Sequence, residues 1–176
     1  LPDTTLADAP QLGVLFVPGG PGVGALMEDR EVLEFLRHQA GRAKYVTSVC
    51  TGALVLGAAG LLKGYRGTTH WLSMDLLPLF GVTPATGRVV VDRNRITGGG
   101  VTAGIDFALA IAAQVLGEDA AKRIQLLIEY NPAPPFACGH PDTAEPGIVD
   151  ALRTERAPMQ AARLEKAKRA AALYCA

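Results

Sequence analysis

Cysteine is scarce in this chain: three residues in 176, at positions 50, 138 and 175. So sparse and odd a set, without the paired spacing of metal ligands, argues against a disulfide scaffold and offers no metal site. It suits a reducing compartment, and the expected location is the cytoplasm. Charge of either sign in excess is also missing, since 17 Lys and Arg balance 17 Asp and Glu. Such a balance leaves no electrostatic footprint for nucleic acid or an anionic membrane. No apolar run approaches the roughly 20 residues that span a bilayer, and no secretory signal opens the chain. Low charge, 19%, beside 49% hydrophobic residues excludes a disordered protein. Length is that of one domain, 1–176, able to bury a single core.

What is present is an alternation of strand and helix signals. Residues 12–17 form an apolar run stopped by Pro18, Gly19 and Gly20, expected as a strand buried on both faces. Residues 28–42 carry Val32, Leu33, Phe35 and Leu36 on a helical stripe, with Gly41 near the end. A short polar-aromatic segment, 67–71, is expected as a strand, and 88–97 as a hairpin turned through Asp92, Arg93 and Asn94. Gly98, Gly99 and Gly100 lead into a helix over 103–116, with Ile105, Leu109 and Ala112 or Ala113 on one face and Asp106 placed to cap it or bond the glycine loop. These glycines lack the Gly-x-Gly-x-x-Gly spacing of a dinucleotide site. Gly117 separates that helix from another over 120–130 with Glu118 and Asp119 at its start, and a rigid loop covers 131–136. The tail, 147–176, mixes charge and alanine as a surface helix broken at Pro158, packed across the domain or on a dimer partner. The order argues a doubly wound α/β fold with helices on both faces.

The most telling feature is Cys50. It follows the β-branched run 45–49 and precedes Thr51, Gly52 and the helical stretch 54–62 with no loop between. On such an elbow a side chain projects from the carboxyl edge of the sheet, where the next helix's first N–H groups and dipole favour negative charge. A thiol there tends toward thiolate, the nucleophilic form. A lone cysteine is more often a small buried hydrophobe. Gly52 and the small neighbours Ser48, Thr51 and Ala53 favour an accessible sulfur instead. Ligands collect at the carboxyl ends of strands in open α/β sheets, so the turn at Gly19 and Gly20 belongs to the same candidate site, with its N–H groups as donors. Cys138, Cys175, His38 and His140 carry no expected role.

Phe16 to Gly20, Val49 to Leu62, Thr68 to Trp71 and Thr97 to Asp106 together resemble the ThiJ/PfpI superfamily. Residues 22–27 and 129–136 resemble its isonitrile hydratase branch. The resemblance implies a flavodoxin-like sandwich of the class I glutamine amidotransferase type and a homodimer. It also implies cofactor-free addition of water to an isocyanide, giving an N-substituted formamide. In that reading Cys50 is the nucleophile through a thioimidate, Thr51 positions its hydroxyl and N–H, and Gly19, Gly20 and Gly52 serve the oxyanion. His70 is then structural or supporting rather than the base, because Thr51 stands where protease-like relatives carry histidine beside the cysteine. Family members begin with a strand, helix and strand that would precede Leu1, and the carboxylate partnering the cysteine belongs to that region; the chain is expected to be a fragment. Two alternatives come with the resemblance: the sensor domain of an AraC-type transcription regulator, and a glyoxalase or deglycase activity. The tail past Pro158 is too short for a paired helix-turn-helix, and Thr51 counts against the second.

Overall fold

The run at 12–17 supplies β1 (Val14–Val17) in the computed structural model, which describes residues 3–174; Cys175 lies outside them. Leu15 and Val17 point into the core, whereas Phe16 points to the opposite face and keeps 46% of its surface exposed. The strand is thus buried on one face rather than two. An apolar run reports residue choice, not how far each face is covered by a neighbour. The Phe16 ring is partly covered by Phe107, with centroids 5.5 Å apart.

A single turn, α1 (Val23–Leu26), precedes α2 (Arg30–Ala40). The Asp29 carboxylate caps α2 by accepting from the Val32 N–H at 3.2 Å, with Glu31 in the first turn and Arg37 and His38 in the last, as the helix dipole favours. Strand β2 (Tyr45–Val49) runs parallel to β1 with Phe16 opposite Thr47. Only Cys50 and Thr51 separate it from α3 (Gly52–Ala58), every residue of which is buried.

The strand expected over 67–71 shrinks to β3 (Arg66–Gly67). From Trp71 the chain winds instead into a 3-10 helix, Trp71–Phe80, because Leu76, Leu77 and Phe80 recur at helical spacing and are buried against the core. After β4 (Thr83–Pro84), which pairs with β3, the expected hairpin forms from β5 (Val89–Asp92) and β6 (Arg95–Gly98), turning through Arg93 at φ 55°. Strand β6 also pairs parallel with β2, so the sheet runs β1-β2-β6-β5 with an antiparallel edge.

Helix α4 (Ala103–Leu116) covers the Phe16 face of the sheet. It buries Ala103 and Phe107, not the expected stripe, and Ile105 remains exposed. Gly117 turns the chain at φ 92° into α5 (Glu118–Leu127), and α6 (Pro146–Tyr174) closes the described chain. Pro158 does not break α6. It lies on the exposed side, where solvent takes over the Thr154 carbonyl that lost its N–H partner, while Ala167 and Ala170 anchor the helix in the core. The tail therefore packs across its own domain, against α3, α1 and the 3-10 helix. Helices cover both faces of the sheet, as the alternation of signals requires. Among the described residues, no helix is long and apolar enough to cross a membrane.

Candidate active site

Cys50 adopts φ 52°, a left-handed conformation that a non-glycine residue holds only when its surroundings enforce it. Three hydrogen bonds do so. The Cys50 N–H is shared between the carbonyls of Gly98 at 2.9 Å and Gly99 at 2.8 Å, and the Thr69 hydroxyl donates to the Cys50 carbonyl at 2.7 Å. The loop after β6 and the segment after β3 thus pin the elbow from two sides. Close packing completes it. A Cβ on Gly52 would stand 2.1 Å from the Val17 carbonyl oxygen, and one on Gly19 would stand 2.8 Å from the Cys50 Cβ, so neither position accepts a side chain. The sulfur-bearing residue itself is partly exposed.

Thr51 occupies the start of α3 but does not cap it. Its hydroxyl oxygen accepts from the Gly20 N–H at 3.2 Å, tying the first glycine turn to the elbow. This corrects the expectation that the Gly20 N–H serves as a free donor in the site, because that donor is already engaged. Asp106 departs from its expected role too. It caps nothing; its carboxylate accepts from Arg88 at 2.5 Å and from the Tyr130 hydroxyl at 3.0 Å, fastening α4 to the β5 approach and to the segment after α5.

His70 precedes the 3-10 helix, and its Nδ1 accepts from the Leu72 N–H at 3.3 Å. That bond places the imidazole proton on Nε2. Burial, helped by the Arg163 charge, holds the ring below the ordinary histidine pKa and so in its neutral form. The His70 ring packs against Gly100, next to the carbonyls that receive the Cys50 N–H. No hydrogen bond among the described residues engages the Cys50 sulfur, and no group of acidic, histidine and cysteine side chains among them is arranged to hold a metal.

A residue without any expected role joins the site. Arg163, on α6, donates to the Ser73 hydroxyl at 3.1 Å and to the Gln160 side-chain carbonyl at 3.1 Å. Burial holds its pKa below the ordinary arginine value, opposed by Cys50. Ser73 in turn donates its N–H to the His70 carbonyl at 2.8 Å, which ties the guanidinium to the segment that packs on the Gly100 loop. Nothing in the sequence separates Arg163 from the other arginines of the tail. Only the path of α6 across the 3-10 helix selects it.

Comparison with known proteins agrees with this architecture. The DJ-1/PfpI family pattern matches residues 1–114. The isonitrile hydratase of Pseudomonas putida is 58% identical over 171 residues, which are 97% of this chain and 75% of the hydratase. The crystal structure of a ThiJ/PfpI family protein from Pseudomonas syringae superposes with a TM-score of 0.90 at 46% identity, covering 97% of this chain and 70% of that one. The HTH-type transcriptional regulator GbdR of Pseudomonas aeruginosa is 32% identical over 74% of this chain, which spans 36% of the regulator. The chain belongs to the DJ-1/PfpI family.

Proposed function

We propose that this protein is an isonitrile hydratase, adding water to an isocyanide to give an N-substituted formamide. The observation that carries the reading is 58% identity to such an enzyme across 97% of the chain. The regulator GbdR shares less than that and reaches over a smaller part of the chain.

Cys50 is the nucleophile. Its sulfur lone pair forms a bond to the terminal isocyanide carbon, and that carbon's own electron pair takes a proton derived from water, giving a thioimidate. Water then adds to the same carbon, the carbon–sulfur bond breaks, the thiolate is regenerated, and the N-substituted formamide leaves. One water is consumed and nothing is oxidised, so the reaction draws on no cofactor. Thr51 and Gly52 place backbone N–H groups at the start of α3 beside the sulfur, where the helix dipole favours the thiolate and the charge that moves off it. Gly19 contributes by leaving room beside Cys50. His70, neutral and bound through Nδ1, supports the loop around the elbow. The working unit is a homodimer built from one domain per chain, in the cytoplasm, where a thiol stays reduced.

The test is formamide production from an aryl isocyanide by the purified protein against Cys50→Ala. Cysteine-dependent formamide supports the reading, with turnover in the variant falling to background. Equal turnover in both proteins removes Cys50 as the nucleophile. An intact, folded protein that makes no formamide moves the sensor reading ahead.

A further inference from the structure

Arg163 is a half-buried cation whose bonded neighbours are all neutral: the Ser73 hydroxyl, the Gln160 carbonyl and the Met159 thioether. Among the described residues, no carboxylate pairs with it. A guanidinium withdrawn from water without a counter-anion is costly, and a binding site is where proteins retain such a charge. A second unused donor lies beside it. Because Gln160 turns its carbonyl to Arg163, its Nε2 is buried with no hydrogen-bond partner, which is costly until an acceptor reaches it.

The same face of α6 forms one wall of a groove of about 350 Å³. His70, Trp71 and Leu72 line the other wall, with Leu152, Arg156 and Met159 on the α6 side. Met159 and Arg163 are one turn apart on that helix and in contact, so the groove, apolar at Trp71, Leu72, Leu152 and Met159 with Arg156 on its α6 side, adjoins the guanidinium through Met159. His70 joins the groove to the Gly100 loop that holds Cys50. A cation joined through Ser73 to the His70 segment beside the cysteine loop, a free amide donor beside that cation, and a largely apolar slot leading away describe a substrate with three parts.

We propose that the substrates are isocyanides bearing a carboxylate on the carbon that carries the isocyano group: Arg163 and the Gln160 amide hold the carboxylate, and the groove holds an apolar side chain. The proposal rests on the isonitrile hydratase reading. It also follows the charge through the reaction. When the thiolate charge is used up in the attack, the bound carboxylate still supplies the guanidinium with its counter-charge. A bidentate carboxylate–guanidinium pair fixes orientation as well as affinity, turning the isocyanide carbon toward one place in the site.

The experiment compares the isocyano acid of the leucine skeleton, as its potassium salt, with its methyl ester. Wild-type protein is expected to favour the acid at least tenfold in kcat/KM, mostly through KM. Arg163→Gln is expected to bring that ratio close to one, and Arg163→Lys to keep part of it. A wild-type protein that uses the ester as well as the acid overturns the proposal, as does an unchanged ratio in Arg163→Gln. Since Arg163→Gln also loosens α6, the wild-type comparison stands without it. Calorimetric titration with N-formylleucine and its methyl ester tests the anion site apart from turnover: tighter binding of the free acid supports it, and equal binding overturns it. The two readings fail differently: no formamide from the acid, the ester or a neutral aryl isocyanide speaks against the hydratase, whereas formamide from all three with no preference for the acid speaks against the carboxylate site alone.

Discussion

The strain at Cys50 is held by neighbours that each do a second job. Thr69 fixes the cysteine carbonyl, Gly98 and Gly99 share its N–H, and Thr51 takes the Gly20 N–H, so three other segments of the chain meet at the elbow. Thr51→Val keeps the shape and removes the acceptor. The part-buried Gly20 N–H then goes unpaired, which is expected to lower stability by about 1 kcal/mol. Turnover should slow while alkylation of Cys50 by iodoacetamide keeps its rate; an unchanged turnover makes the hydroxyl purely structural. His70 gives a pH prediction. Its native pKa lies below the ordinary 6.5, so the unfolded chain takes up a proton before the folded one does. Its contribution is therefore complete above pH 6.5 and is lost as pH falls below that value toward the native pKa. Urea midpoints measured at pH 7.5 and pH 5.5 should show the loss, and His70→Gln should lessen the difference. An equal difference in the variant would assign the acid sensitivity to other groups.

Pro158 lies inside a helix that the sequence alone would end there, and the difference is one of energy. Proline removes one N–H and crowds the preceding turn, at about 3 kcal/mol in a helix interior. Packing of α6 on α3, α1 and the 3-10 helix, with Ala167 and Ala170 fully buried and Leu164 and Ala171 against the core, offsets that cost. Pro158→Ala restores the bond to the Thr154 carbonyl and is expected to raise stability by up to about 3 kcal/mol in urea unfolding. A lowered midpoint would show that the chain uses the proline to bend α6 onto the domain. Elements with a strong local signal were legible: the hairpin through Arg93, the Asp29-capped α2 and the tight passage from Val49 to Gly52. The 3-10 helix was not, because Trp71 and the threonines before it favour strand while the leucines that decide the matter act through tertiary burial. The cysteine elbow of the site was legible for the same local reason. Arg163 was not, since its partner Ser73 is ninety residues away and only packing brings them together.

Across the whole molecule, apolar surface is unevenly distributed. The face of α3 and the 3-10 helix is sealed, whereas the end of α5 and the loop after it leave Leu126 82%, Leu127 85% and Phe136 74% exposed. Single exposed leucines are ordinary, but adjacent ones at a helix end, followed directly by exposed Ile128, mark a surface that association would cover. The second copy of the proposed homodimer suits it, because a chain with no net charge meets no net repulsion from its own image. Covering such residues removes apolar area worth about 25 cal/mol per Å², enough for a few large side chains to decide the association. The deciding measurement is sedimentation velocity across a concentration series for the wild type and for the double variant Leu126→Glu with Leu127→Glu. Both substitutions lie on exposed positions and should leave the fold intact by circular dichroism. A wild-type dimer that becomes a monomer in the double variant places the interface here. A dimer that survives two introduced charges places it elsewhere, and a wild-type monomer removes the homodimer altogether.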